Sequence, residues 1–309
     1  MSTEKEEFKP LTFGFEEDIN KNSENNIDSI SEEFVPIADP STTEIKNKDS
    51  NFVFFFGVGE SGKSVILSSM LYYLSAKAGV LKPSLGVPNS KEAQVLLYDF
   101  FENISKGILP NRTTRDQVTR LDLVFEPNNK SKKVPPINLT FLETSGENHK
   151  EISRGGSYHN SIDYYLNANI PLNFIIVTSY DKAHLEDALI DTFLNELIKK
   201  GKNLKMINII LVISKWDKSG HTKVTNEEEL ENFITQRLPM TNNRINTYEL
   251  SKTYFTIGKI EQTNSGEKIT VLDLTPAGIL ANWLYESIIG YPIDYEGTFW
   301  ERIKFSFGA

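Results

Sequence analysis

Apolar residues follow two rhythms along this chain. Phe52-Val53-Phe54-Phe55-Phe56, Phe174-Ile175-Ile176-Val177 and Ile207 to Ile213 are nearly continuous apolar runs. Such runs suit parallel strands covered on both faces. Between them, apolar residues recur at helical spacing: Leu67, Met70, Leu71, Leu74 and Ala78; then Val95, Leu96, Phe100 and Phe101 within 90–104; then Leu185, Leu189, Phe193, Leu194, Leu197 and Ile198. Each set predicts a helix with one face on a sheet. Gly79 and Pro83 are expected to close the first helix. A final helix is predicted with Thr275 as N-cap, Pro276 in its first turn, Ile279, Leu280, Trp283, Leu284 and Ile288 on its face, and Gly290 as its stop. Residues 118–125 alternate like a half-exposed strand, Pro127-Asn128-Asn129 reads as a turn, and Ile137 to Leu142 is a strand, so these two are expected to pair antiparallel. Tyr254-Phe255-Thr256-Ile257 should begin the last central strand, and 269–272 a short edge strand. Strand, helix, strand repeated in this way predicts a three-layer α/β/α sandwich with a mostly parallel central sheet, which places ligands at the carboxyl ends of its strands.

One junction carries chemistry of its own. Gly57-Val58-Gly59-Glu60-Ser61-Gly62-Lys63-Ser64 lies between the first strand and the first helix and fills the pattern G-x-x-x-x-G-K-[ST], the Walker A or P-loop. Gly57 and Gly62 let the backbone wrap closely around a phosphate because they lack Cβ. The peptide N-H groups of the turn, with the N-terminus of the helix that continues through Val65, form an anion site before any side chain acts. Lys63 is placed to bridge the β and γ phosphates, and Ser64 to give its hydroxyl to Mg2+.

Composition narrows the classes that remain. The 309 residues, 39% hydrophobic and 24% charged, are enough for a substantial core and describe an ordinary globular chain. The absence of cysteine excludes disulfides, zinc thiolates and thiol catalysis. No apolar run approaches the roughly 18 residues of a membrane span, and the N-terminus is polar and acidic, so a cytoplasmic location is expected. Residues 1–50 hold 13 Asp and Glu against 5 Lys and carry −8 of the total charge of −9. That segment is rich in Glu, Asn and Ser. It is expected to be a flexible acidic tail, either a solvated leader or a short docking segment, and its charge argues against nucleic acid as a ligand there. Three segments follow: 1–50 as the tail, 51–290 as the α/β domain with a helical insertion at about 84–110, and 291–309 as an aromatic extension. The extension, with Tyr295, Phe299, Trp300, Phe305 and Phe307, either folds back on the domain or offers an interface.

Two further motifs make 51–290 resemble the GTPase branch of P-loop proteins, small GTPases and their bacterial relatives. Glu143-Thr144-Ser145-Gly146 stands where that family has D-x-x-G, and Ser214-Lys215-Trp216-Asp217 where it has N-K-x-D. The resemblance implies a water-mediated hold on Mg2+ by Glu143, a γ-phosphate contact at the Gly146 N-H, and selection of guanine by Asp217 beneath the stem of Lys215. Adenine lacks the matching donor pair, so a carboxylate there discriminates. Glu replaces the family's Asp at 143, and Ser replaces Asn at 214, removing an amide expected to brace the P-loop side. Gly258 and Lys259 would offer a backbone N-H to guanine O6. Thr114, or its neighbour Thr113, is the expected switch threonine that sees Mg2+. Arg112 or Arg115 could reach the γ-phosphate, or could be solvated loop residues. Glu147 occupies the position of the family's water-orienting Gln, and His149 or Arg154 could complete the site; His149 and His159 could equally be surface residues. The resemblance implies GTP and GDP with Mg2+ as ligands, slow hydrolysis, and a nucleotide-dependent surface for a protein effector or activator. A non-hydrolysing nucleotide-binding scaffold and a P-loop ATPase or kinase are the alternatives.

Overall fold

The computed structural model describes residues 45, 47–87, 90–110, 118–129, 131–144, 146, 160–220, 227–263 and 266–296. The apolar runs form the centre of a seven-stranded sheet ordered β2-β3-β4-β1-β5-β6-β7, with β1 Asn51–Phe56, β2 Gly79–Pro83, β3 Val118–Pro127, β4 Ile137–Thr144, β5 Leu172–Ser179, β6 Asn208–Ser214 and β7 Ser251–Tyr254. β4, β1, β5, β6 and β7 run parallel, and β3 is antiparallel to both of its neighbours. The hairpin expected from the alternating residues is present, with Val118 opposite Thr144 and Phe125 opposite Ile137.

Helices cover both faces. α1 Lys63–Tyr73, α2 Ser90–Ser105 and α7 Thr275–Ile289 bury Leu67, Met70, Leu71, Leu97, Phe100, Leu280 and Leu284 against Val53, Phe55, Ile175 and Val212. α3 Asn160–Asn167, α4 Ala183–Lys199, α5 Glu227–Arg237 and α6 Pro239–Tyr248 cover Phe54, Phe56, Phe174, Ile176 and Leu211. Alternation along β1 and β5 therefore feeds two cores at once, and each fully buried large side chain stabilises the layer pair by roughly 1.5–3 kcal/mol. The result is the three-layer α/β/α sandwich with a mostly parallel sheet that the sequence predicts.

Four expectations are corrected. Gly79 does not end a helix in a turn. α1 passes into a π-helical turn, Leu74–Ala78, and Gly79 enters the edge strand β2 in extended conformation. A Cβ at Gly79 would lie 2.2 Å from the Glu126 carbonyl oxygen, so the glycine is needed for close strand approach. The last central strand is Ser251–Tyr254, three residues earlier than its apolar residues suggest. Residues 266–272 do not extend the main sheet; β8 Gly258–Thr263 and β9 Gly266–Leu272 form a separate hairpin, bridged to Ile108 at the end of α2. Thr275 is the first residue of α7 rather than its cap, and its N-H donates to Asp273 Oδ1 at 2.9 Å. Gly290 does stop that helix, at φ 82°.

The described start of the aromatic extension folds back on the turn between β3 and β4. Asn129 Nδ2 donates to the carbonyls of Ile293 and Tyr295 at 2.9 and 2.8 Å, and Lys133 lies over the rings of Tyr291 and Tyr295. Residues 1–44, 111–117 and 297–309, including Phe299, Trp300, Phe305 and Phe307, lie outside the described residues.

Candidate functional site

The carboxyl ends of β1, β4, β5 and β6 meet at one rim of the sheet, and the three sequence motifs lie on the ends of β1, β4 and β6. The glycine-rich turn takes the shape its sequence demands. Gly57 has φ 153°, and a Cβ there would lie 2.2 Å from the Val177 carbonyl oxygen on the adjacent strand. Gly62 caps α1 at φ 93°, and Glu60 is left-handed at φ 66°. Ser61 N-H closes the turn on the Val58 carbonyl at 3.3 Å, and Ile66 N-H begins the helical ladder on Gly62. Lys63 is buried, with Nζ donating to the carbonyls of Gly57 and Val58 at 2.9 and 3.0 Å, so its ammonium is folded over the loop. Val65 is half-buried against the core at the base of the loop, and its carbonyl accepts from Ser69 Oγ at 2.7 Å.

The second motif arrives from β4. Ser64 Oγ donates to Glu143 Oε1 at 2.6 Å, and Glu143 is only 2% exposed. The longer Glu side chain thus reaches the P-loop hydroxyl directly. Gly146 sits against the loop itself: a Cβ there would lie 1.9 Å from Gly59 N and 2.0 Å from Val58 C. Only glycine permits that approach at position 146.

The third motif arrives from β6, and here the expected loss of a brace is overturned. Ser214 Oγ lies 2.5 Å from the Ser61 carbonyl oxygen, to which it donates, and 3.3 Å from the Thr178 carbonyl. A hydroxyl does the bracing because Gly62 lies close, within 3.5 Å of Ser214 measured from its ideal Cβ position. Lys215 is left-handed at φ 53°, which turns the chain into a short 3-10 turn, Trp216–Ser219, and leaves Asp217 exposed. Trp216 anchors the turn from below, edge-on to Tyr180 and Phe233, which stack on each other at 4.7 Å.

Residues that the motifs did not flag link these parts. Lys182, just after β5, pairs with Glu60 at 3.1 Å, and Lys218 pairs with Asp181 at 2.8 Å. The hydrogen bond from Lys218 holds the Asp181 carboxyl down at about 2. Glu186, in the first turn of α4, is 5% exposed. Burial pushes its carboxyl up to about 7, against the opposing hydrogen bond from Thr178 and the charges of Lys182 and Lys63. Ser61 Oγ, Glu186 Oε1 and Trp216 Nε1 are buried side-chain atoms with no hydrogen-bond partner.

Other expected site residues are placed differently or not at all. Gly258 N-H is taken by Thr256 Oγ1 at 3.2 Å, and Lys259 is paired with Glu261 at 2.5 Å, so both are engaged within their own hairpin. Arg112, Thr113, Thr114, Arg115, Glu147, His149, Arg154 and His159 lie outside the described residues. For Mg2+, a hydroxyl and a carboxylate, both hard oxygens, already touch at Ser64 and Glu143, which fits a hard cation. No group of three or more acidic or His side chains at metal-binding distance occurs among the described residues.

Fold and rim together define a three-layer α/β/α protein with a glycine-rich turn at its strand ends. No family model matches the chain, and no curated protein matches it. Solved structures do. The Methanosarcina barkeri Roco2 RocCORdC chain, bound to GDP, is 13% identical, with 84% of this chain and 55% of that one covered at a TM-score of 0.36. The Chaetomium thermophilum signal recognition particle receptor SRb-GTP/SRX complex is 15% identical, with 77% and 98% covered at 0.43. A bacterial selenocysteine-specific elongation factor, EF-Sec, is 12% identical, with 67% and 25% covered at 0.31. This chain therefore spans about half of the Roco2 chain and a quarter of EF-Sec. These likenesses are distant, and the chemistry of the rim stands on its own geometry.

Proposed function

We propose that this chain binds guanine nucleotides with Mg2+, hydrolyses GTP slowly, and presents a nucleotide-dependent surface to a protein partner. One observation carries the proposal: Ser64 with Glu143, Gly59 with Gly146, and Ser61 with Ser214 tie the phosphate turn to both of the other motifs. Three loops distant in sequence are thereby held in register around one anion cradle.

In this proposal the N-H groups of Gly59 to Ser64 hold the β-phosphate, and Lys63 leaves its two carbonyls to bridge the β and γ phosphates. Ser64 and Glu143 hold Mg2+, which neutralises developing charge on the phosphates. Asp217 accepts from the guanine donors, and Lys215 lies along the ring. Gly146 lies so close to Gly59 that a change at the γ-phosphate would be felt in the loop that follows it. Thr114 is the proposed switch threonine, Arg112 the proposed charge near the γ-phosphate, and Glu147 the proposed neighbour of the attacking water.

A second reading, a nucleotide-binding scaffold without turnover, is favoured by one contact: the Ser64 hydroxyl is already taken directly by Glu143. Phosphate release with Mg2+ separates the two. The Asp217→Asn variant tests the base. It is expected to lose GTP affinity by roughly a hundredfold, from the loss of two charge-assisted hydrogen bonds, and to gain affinity for xanthosine triphosphate. Unchanged GTP affinity would contradict guanine selection at Asp217 and return the ATPase or kinase alternative.

A further inference from the structure

A buried carboxylate sits behind the phosphate cradle where the GTPase-like motifs assign nothing. Glu186 occupies the first turn of α4, packed against the end of β5, and its Oε1 has no hydrogen-bond partner. Ser61 Oγ in the phosphate turn is likewise buried without one, while the neighbouring Thr178 on β5 gives the carboxyl a hydrogen bond that favours its charged form. An ionised carboxylate in such a place has only part of the compensation that buried charges require. The charged groups in electrostatic reach are Lys63 of α1, and Lys182 and Asp181 of the β5–α4 turn. Each is occupied elsewhere: Lys63 on the Gly57 and Val58 carbonyls, Lys182 on Glu60, and Asp181 on Lys218. Asp187 accepts from the N-H groups of Met240 and Thr241 at the start of α6, and Asp191 pairs with Arg244.

We propose that Glu186 is a proton-linked positioning residue of the phosphate site, so that entry of a nucleoside polyphosphate into the cradle is coupled to uptake of one proton by this carboxyl. The proposal rests on the phosphate-binding role given to the cradle above. Two effects act in the same direction. A polyphosphate brings several negative charges to the other side of the turn, and it draws the Lys63 ammonium, one of the two cations that favour ionised Glu186, onto itself. Both disfavour the charged carboxyl. Burial already pushes the carboxyl up to about 7, so the bound form shifts it further toward the protonated state. By linkage, binding is then tighter at low pH and weakens as pH rises above about 7.

The test uses the full chain, the fluorescent diphosphate probe mant-GDP, and the isosteric Glu186→Gln variant, titrated from pH 6 to 8. At pH 6 the two proteins should bind within about twofold of each other, and at pH 8 the variant should bind about tenfold tighter, one pKa unit of linkage being a factor of ten. A residue that only supports the fold would move both ends of the profile equally. Calorimetry of the wild-type chain at pH 8, in two buffers of different ionisation enthalpy, gives a second readout that needs no variant. Proton uptake on binding is expected, since the nucleotide's own phosphates are ionised there. Parallel pH profiles, or no proton uptake at pH 8, would overturn the coupling while leaving nucleotide binding intact. No mant-GDP binding by either protein at any pH would overturn the coupling and the nucleotide reading together.

Discussion

The two ends of the central sheet treat polar side chains in opposite ways. At the amino ends of the strands they are satisfied. Asn208 Nδ2 donates to Asn173 Oδ1 at 2.7 Å, Asn173 Nδ2 to the Phe52 carbonyl at 3.1 Å, and Trp283 Nε1 to Ser251 Oγ at 3.0 Å. At the carboxyl ends, the buried Ser61 Oγ, Glu186 Oε1 and Trp216 Nε1 have no partner, Glu60 and Lys215 are left-handed, Gly57 and Gly146 are crowded, and the Glu186 carboxyl is pushed up to about 7. Buried unpaired groups cost about 1–3 kcal/mol each, so the carboxyl rim is the destabilised end of the molecule. Costs of that kind cluster where a site must meet a ligand rather than itself. The amino end supports the fold; the carboxyl end is arranged for something to bind.

That contrast can be broken by mutation, the largest effect first. Lys63→Ala should lower nucleotide affinity by about a hundredfold or more, because it removes a charge-assisted contact, while circular dichroism at room temperature stays unchanged. Asn173→Ala, at the opposite end, should do the reverse: about 1–3 kcal/mol of stability lost in urea unfolding, with mant-GDP affinity within twofold. Equal loss of affinity from both variants would erase the distinction between the ends. Ser214→Ala should weaken nucleotide binding by about five- to tenfold, one neutral hydrogen bond's worth, because the brace on the Ser61 carbonyl is gone. The smallest effect sharpens the contrast through pH. A carboxyl raised by burial is protonated in the native state while ionised in the unfolded chain, so it withdraws stability as pH climbs from its ordinary value toward about 7. Glu186→Gln should therefore melt several degrees higher than wild type at pH 8 and within about a degree of it at pH 4.

What could be read in the sequence followed from how locally each feature is encoded. β1, β5 and β6 announce themselves as apolar runs, and the glycine turn states its own backbone shape. β2 was hidden because its five residues, Gly79 to Pro83, begin and end with residues that also stop helices. β7 was displaced because apolar weight falls on Phe255 and Ile257, while pairing with β6 selects Ser251 to Tyr254. α5 and α6 went unread in a polar stretch, although Leu230, Ile234 and Leu238 at intervals of four, followed by Pro239 at a helix start, carried the signal. At the site, the motif residues Ser64, Glu143, Gly146 and Ser214 were all visible in the chain. The Ser214 brace was not, because whether a hydroxyl replaces an amide depends on how closely Gly62 approaches. Glu186 was not visible either: an acid in the first turn of a helix ordinarily faces water and the helix dipole, and only packing on β5 buries it.

Equilibrium titration of the full chain with mant-GTP and mant-ATP, with and without Mg2+, tests the central claim most directly. Saturable mant-GTP binding that tightens with Mg2+, and mant-ATP binding at least about a hundredfold weaker, is the predicted result. Equal affinity for both nucleotides, or binding of neither, would contradict it.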